Sequence, residues 1–292
     1  MFLRSLLRIG ILTILSIQLS VALPAQAQVQ ASCTFHLFKL PTSPGLFPRG
    51  VNDWGTIVGD ADFGGGPPHK FEAFIRFSGG GVSYFLPAGA LSSVFFARNN
   101  LGVAVGSYTD ASKHGHSFIL QGSTLIPVVD PKAIPNSTLV FGINRWNSTV
   151  GFYIDSAVNG IQHGFKRFSN GNFLDLDYPG AQATSPAGIN DRGVVVGSYS
   201  NDPSGPVVHG FIYHNGSWAT LDVPNSIVSG IVGISNAGVM VAATDHGSFL
   251  YENGKFKLIK VPNSVFTNVA GISPDGLIVG TTATSGFLAA CH

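Results

Sequence analysis

The sequence predicts an all-β protein: a single six-bladed β-propeller of four-stranded antiparallel blades, its ring closed by the N-terminal strand completing the last blade. Three observations carry that prediction. The chain repeats internally six times, its last copy lacks a strand that a spare stretch at the other end supplies, and its two cysteines fall where the ends would meet.

The repeat is read most easily from Gly188 to Pro224. Gly188-Ile189-Asn190 ends one strand, and Asp191-Arg192-Gly193 turns the chain. Asn and Asp bond the turn backbone, and Gly accepts the positive φ that a side chain resists. Val194–Tyr199 runs back, and its unbroken apolar start, Val194-Val195-Val196, suits a strand covered on both faces. His209–Tyr213 forms a third strand. Asn215-Gly216, a primed two-residue turn, leads into Ser217–Val223, and Pro224 stops the ladder because it has no amide to donate.

The Gly-Ile-Asn element recurs at Gly50-Val51-Asn52, Ala97-Arg98-Asn99, Gly142-Ile143-Asn144, Gly188-Ile189-Asn190, Gly233-Ile234-Ser235 and Gly271-Ile272-Ser273. The repeats thus start near 50, 97, 142, 188, 233 and 271. The turn glycine follows at Gly55, Gly102, Gly193, Gly238 and Gly276, with Asn147 in the third copy. A Val-Gly pair marks the end of the second strand at Gly59, Gly106, Gly151, Gly197 and Gly280, and Ala242 replaces it in the fifth. Phe74, Phe118, Phe165, Phe211, Phe249 and Phe287 mark the third strand. A fixed period of this length is the signature of a stacked or circular repeat architecture.

The ends then become informative. In copies one, two, four and five the marker Phe lies 13 residues before a Pro, and in copy three it lies 14 before Pro179. Copy six stops at His292, with its fourth strand missing. Thr34–Pro41 reads like Ser217–Pro224, so residues 33–41 are expected to complete the last blade. Closure of this kind removes the free edges that an open stack exposes. Aligned on the same template, Cys291 matches Asn215 and Cys33 matches Gly216, neighbours in one hairpin turn. A Cys33–Cys291 disulfide follows, as suits an exported chain with an even, minimal cysteine count.

Export is read from residues 1–27 as a signal peptide. Arg4 and Arg8 precede the apolar stretch Ile9–Ala22, and Ala25-Gln26-Ala27 forms a small-residue cleavage site. The mature domain then runs over 28–292 and is secreted, either extracellular or periplasmic. No later run has the ~20 apolar residues of a spanning helix. Without residues 1–27 the chain carries 14 Lys and Arg against 15 Asp and Glu. That balance gives no basis for a nucleic-acid or anionic-membrane partner. Only 11% of residues are charged while 45% are hydrophobic, and 37 are glycine, which fits a buried, turn-rich β protein.

The pattern Gly-Ile-Asn-x-x-Gly-x-x-Val-Gly-x-Tyr followed by His-Gly-Phe resembles the bacterial extracellular HAF repeats, named for a His-Ala-Phe tripeptide. The resemblance spans residues 33–292. The tripeptide stands as His163-Gly164-Phe165 and His209-Gly210-Phe211, and as His116-Ser117-Phe118. Glu72-Ala73-Phe74, Gly247-Ser248-Phe249 and Ser285-Gly286-Phe287 lack the His. What the resemblance implies is an exported repeat protein; it brings no catalytic residues.

The tight turns are expected on one face of the disc and the second-to-third and fourth-to-first connections on the other, where sites are usually built. The second-to-third connections are long in copies one to four (Asp60–Lys70, Thr109–His114, Ile154–Gln162, Ser200–Val208) and short in five and six. Each long one offers carboxylates: Asp60 and Asp62, Asp110, Asp155 and Asp202, with Asp245 in the short fifth. Converging Asp side chains are hard oxygen ligands suited to Ca²⁺, whereas Asp also opens turns by bonding its own backbone. His116, His163 and His209 share one template position; the blades keep them apart, so a structural role bonding backbone at the rim is favoured over zinc. His114 and His246 have no further support. No Gly-x-Ser-x-Gly, His-Glu-x-x-His or phosphate loop occurs.

The sequence therefore points to a non-catalytic module that binds an extracellular carbohydrate or protein on the long-loop face, with no cofactor beyond a candidate Ca²⁺. The alternatives are an extracellular glycan- or lactone-acting hydrolase or lyase using loop carboxylates, and a structural envelope component.

Overall fold

The structure is a computed structural model that describes residues 29–41, 43, 45–64, 69–155, 161–202 and 204–291. The expected signal peptide and its cleavage site lie outside the described residues. Every regular element among the described residues is a strand, and none is a helix.

The N-terminal strand β1 spans Cys33–Phe38. Copy one comprises β2 (Gly45–Val51), β3 (Ile57–Asp62), β4 (Phe71–Arg76) and β5 (Val82–Phe85). Copy two comprises β6 (Ser92–Arg98), β7 (Ala104–Thr109), β8 (Gly115–Gln121) and β9 (Thr124–Val128). Copy three is β10 (Leu139–Ile143), β11 (Thr149–Ile154), β12 (Gln162–Arg167) and β13 (Phe173–Asp175); copy four is β14 (Ala183–Ile189), β15 (Val195–Ser200), β16 (His209–His214) and β17 (Ser217–Thr220). Copy five is β18 (Ser229–Ile234), β19 (Met240–Thr244), β20 (Gly247–Glu252) and β21 (Lys255–Ile259). Copy six has β22 (Thr267–Ile272), β23 (Leu277–Thr282) and β24 (Gly286–Cys291).

These strands form a propeller-like arrangement of small antiparallel sheets. The expectation of six separate blades needs correction. Four sheets are separate and four-stranded, while copies three and four share one eight-stranded sheet. The physical reason is local. The fourth strand β13 covers only Phe165–Arg167 of β12, which leaves the start of β12 open, and Gln162 there pairs in parallel with Ala183 of β14. Val208 and Val228 make the same kind of parallel contact between copies four and five, but as an isolated bridge.

The N-terminal strand does what its sequence predicts. β1 pairs antiparallel with β24 in the register Cys33↔Cys291 through Phe38↔Gly286. Phe35 packs edge-on against Phe287 with ring centroids 5.6 Å apart, as Trp218 packs on Phe211 at 5.1 Å. Cys33 and Cys291 form the disulfide across 258 residues of chain.

The core lies between the copies rather than within them. Among the described residues six clusters of buried side chains occur, each shared by two consecutive copies. One unites Phe38, Leu40, Val51, Ile57 and Phe74 with Val279 of copy six; the others lie between copies one and two, two and three, three and four, four and five, and five and six. Five of the six marker phenylalanines are fully buried in them and Phe249 nearly so. Each is worth about 1.5–3 kcal/mol of burial. Two glycines show why the template is written as it is. Gly193 has φ +82° in its turn, and Gly197 sits inside β15, where an added Cβ would run into the carbonyl of Ser185 beside the bulge between Pro186 and Gly188.

Candidate functional site

The turn asparagines knit the centre of the disc. Asn144 Oδ1 accepts from the amides of Trp146 and Ser148, 3.1 Å each, closing its own turn. Its Nδ2 donates to the carbonyl of Asn190 in the next copy at 3.1 Å. Asn99 donates likewise to Asn144 O (3.0 Å), Asn190 to Ser235 O (3.1 Å) and Asn52 to Asn99 O (3.4 Å). In copies five and six the residue is Ser235 or Ser273, whose hydroxyl accepts from Val239 N or Leu277 N and closes only its own turn. There the seams are joined instead by Asn236 N to Pro274 O (2.8 Å) and Asp275 N to Asp53 Oδ1 (2.7 Å).

These first strands enclose an axial cavity of about 360 Å³ whose lining includes Arg49, Phe96, Phe141, Val232 and Ala270. Its walls differ by copy. Phe96 and Phe141 meet edge-to-face at 5.0 Å, and Phe141 meets Phe152 at 5.7 Å. Copy one presents Arg49, whose Nε donates to Asp60 Oδ1 at 2.8 Å. From Arg49 a row of rings leads outward to the long-loop face. The guanidinium lies 5.8 Å from the Phe47 ring. Phe47 meets Phe71 edge-on at 6.0 Å, Phe71 stacks on His69 at 5.6 Å, and His69 Nδ1 lies 2.5 Å from Asp62 Oδ2. A row of rings ending in charged, hydrogen-bonding groups at both ends is suited to a ligand with apolar faces and polar edges.

The carboxylates singled out by sequence are placed differently from one another. Asp60 and Asp62 were expected in a loop; both lie within β3 and are buried, because the strand extends three residues further than read. Burial pushes the Asp60 carboxyl up, and Arg49 only partly offsets it. Burial alone would raise Asp62 as well, but the Gly64 amide and the His69 ring outweigh it and hold Asp62 low. Asp110 is held low by its bond from His116 and by the His114 amide. Asp202 is held low by the Ser204 hydroxyl and amide, the turn-opening role. Asp155 pairs with Ala133 in an isolated antiparallel bridge. Asp60 and Asp62 are thus brought together, whereas Asp110, Asp155 and Asp202 belong to three other copies. Among the described residues no group of three or more His, Cys, Asp or Glu has the arrangement to hold a metal ion. Asp245 accepts from Val228 N at 3.3 Å.

The tripeptide histidines find side chains, not the backbone partners expected of them. His163 Nδ1 lies 2.9 Å from Asp177 Oδ2, and His209 Nδ1 lies 2.8 Å from Asp222 Oδ2. The same carboxylates accept from the amides of Gly164 and Gly210. Each ring stacks on the tyrosine of the second strand, His163 on Tyr153 at 5.3 Å and His209 on Tyr199 at 5.0 Å. In copy two Val129 stands where Asp177 and Asp222 do, so His116, stacked on Tyr108, turns to Asp110 through Nε2 at 2.9 Å. His114 Nδ1 is 3.7 Å from that carboxylate, and His246 Nε2 is 2.9 Å from Asn225 O. The backbone is not the partner because Asp two residues before the closing Pro reaches the ring first.

Sequence reasoning missed the aromatic row and two exposed tryptophans, Trp54 and Trp146, on the tight-turn face. The signal was present: both occupy the turn position held by Arg192, Ala237 or Asp275 in other copies.

No family model matches the chain, and no curated protein matches it. Solved structures do. TolB from Acinetobacter baumannii is similar with a TM-score of 0.54 at 12% identity, over 82% of this chain and 64% of that one. A gluconolactonase from Xanthomonas campestris gives 0.51 at 12% identity over 92% and 99%. A streptogramin B lyase gives 0.50 at 12% identity over 89% and 98%. At this identity the likeness establishes the propeller fold and nothing further. No helix among the described residues is long and apolar enough to cross a membrane.

Proposed function

We propose that this chain is an exported, HAF-type repeat protein forming a six-bladed propeller, and that it binds an extracellular carbohydrate on its long-loop face. The six-fold count is supported by the six inter-copy cores, which run in an unbroken cycle from copy one back to copy one. Export is supported by the disulfide, a bond that persists in oxidising compartments.

The binding reading rests on the row Arg49–Phe47–Phe71–His69–Asp62. Its rings offer faces to sugar C–H groups, and its ends offer hydrogen bonds to hydroxyls. A glycan array of the purified protein, with and without calcium, tests it. Binding to at least one glycan is expected, weakened about tenfold by Phe71→Ala. Binding to none, or binding indifferent to Phe71→Ala and Phe47→Ala, would remove this reading.

A hydrolytic or lyase function has one observation behind it, the buried Asp60 carboxyl held high beside Arg49. It requires turnover of a glycan or lactone that Asp60→Asn abolishes.

A further inference from the structure

We propose that the opposite, tight-turn face carries a second site, a stacking platform for a neutral glycan chain built on Trp54, Leu101 and Trp146. These three residues hold the same template position in three consecutive copies. All are strongly exposed, at 68%, 70% and 59%. The chain has only three tryptophans, and the third, Trp218, packs on Phe211 and Tyr178. An exposed indole at one turn is ordinary; large apolar side chains at the same turn of three adjacent copies make a surface.

The indoles are held in place. Trp54 Nε1 donates to Asn100 O at 3.3 Å, and Trp146 Nε1 donates to Asp191 O at 3.0 Å. Each bond reaches the turn of the next copy, so the indole edge is tied across a seam while most of the ring stays in water. Aromatic side chains fixed in this way lose little freedom when a ligand stacks on them. The guanidinium of Arg145 lies 4.8 Å from the Trp146 ring.

The surroundings select the ligand class. Each apolar residue follows a polar one in its turn (Asp53, Asn100, Arg145), and Asp53 and Arg145 are bonded through their amides to Asn100 and Asp191 of the next turns, so hydrogen-bonding groups alternate with the apolar side chains. Rings alternating with hydrogen-bonding side chains match a sugar chain, which shows C–H faces and a rim of hydroxyls. Asp53 and Asp191 already accept from the side-chain amides of Asn100 and Asn236, which favours an uncharged chain over a charged one. The arc covers only copies one to three. The equivalent positions in copies four to six are Arg192, Ala237 and Asp275.

The test is affinity gel electrophoresis of the purified protein in laminarin, xyloglucan, galactomannan and dextran. The variants are Trp54→Leu and Trp146→Leu, alone and together. Leu101 already occupies this position, so leucine is compatible with the turn. At least one polysaccharide should retard the protein, each substitution should weaken retardation about tenfold, and the double variant should lose it. Retardation lost in Phe71→Ala but kept in the tryptophan double variant would place the binding on the long-loop face and overturn the proposal. Binding should also quench or blue-shift tryptophan emission in the parent protein but not in the double variant, where only Trp218 remains. The proposal falls if no polysaccharide retards the protein, or if retardation survives the double substitution. It also falls if the double substitution instead converts a dimer to a monomer in sedimentation, since the surface would then serve self-association.

Discussion

The seams of copies one to four differ from those of copies five and six. In the first group a buried asparagine amide closes its own turn and crosses to the next copy; in the second a serine closes the turn and stops there. The serine seams include the place where the chain ends meet, and they are held by backbone contacts, by Asp53 and, through β1, by the disulfide. The comparison teaches that one motif position does two jobs, and that only the longer side chain does both.

The largest effect is expected where closure is covalent. Deleting residues 28–41 removes β1 and the disulfide together and bares the edge of β24, so size-exclusion chromatography should show aggregate rather than monomer. Cys33→Ser leaves β1 paired and should keep the fold. It should lower unfolding free energy by up to about 4–5 kcal/mol, the chain-entropy value for so long a loop. A monomeric truncation would mean that the serine side of the ring holds without its outer strand.

Next come the seams themselves. Asn144→Ala strands buried amides on one side and a carbonyl on the other, for about 2–3 kcal/mol, whereas Ser273→Ala should cost about 1 kcal/mol. The reciprocal change sharpens the contrast: Ser235→Asn should gain about 0.5–1.5 kcal/mol by restoring the crossing bond. Denaturant midpoints decide it, and equal losses at 144 and 273 would erase the distinction.

The turn glycines beside these residues should follow. Gly193→Val forces a β-branched residue to positive φ, a strain of about 1–3 kcal/mol. Gly193→Asn should be mild, because Asn147 holds φ +57° at the same position in copy three. Thermal melts of the pair test this, and an unchanged Gly193→Val would contradict the turn geometry.

One further change should stabilise. Asp130 is 2% exposed where the other copies carry Leu40, Leu86, Tyr178, Val223 or Val261. Its Oδ1 accepts from Lys132 N, while Oδ2 is buried without a partner among the described residues. Burial pushes this carboxyl up, and Asp175 and Asp155 add to it against the amide and side chain of Lys132. A raised folded-state pKa means that stability is lost as pH rises from the unfolded carboxylate value through the folded one. Asp130→Leu should therefore gain about 1–3 kcal/mol at neutral pH, and the gain should shrink in acid. A gain independent of pH would mean that packing, not charge, is responsible.

The repeat landmarks, the strand order within a copy, the turn glycines and the pairing of the two chain ends were legible because each depends on register along a single strand or hairpin. Phe35 could be matched to Trp218, and Cys33 to Cys291, by counting alone. What lay beyond counting involves side-chain and strand partners that no single turn or register specifies. The Asn144 amide meets a carbonyl of the following copy. Gln162 pairs with Ala183, so two blades expected to be separate share one sheet. His116 turns to Asp110 because Val129 offers it nothing, while His163 and His209 take Asp177 and Asp222. Asp60 and Asp62 lie in the strand, where Arg49 and His69 bond their carboxylates. The sequence by itself determined the unit and how its ends join, since those are properties of local hydrogen bonding. Only the tertiary structure decided which side chains meet across the seams and which rings face water, since those depend on the packing of one copy against the next.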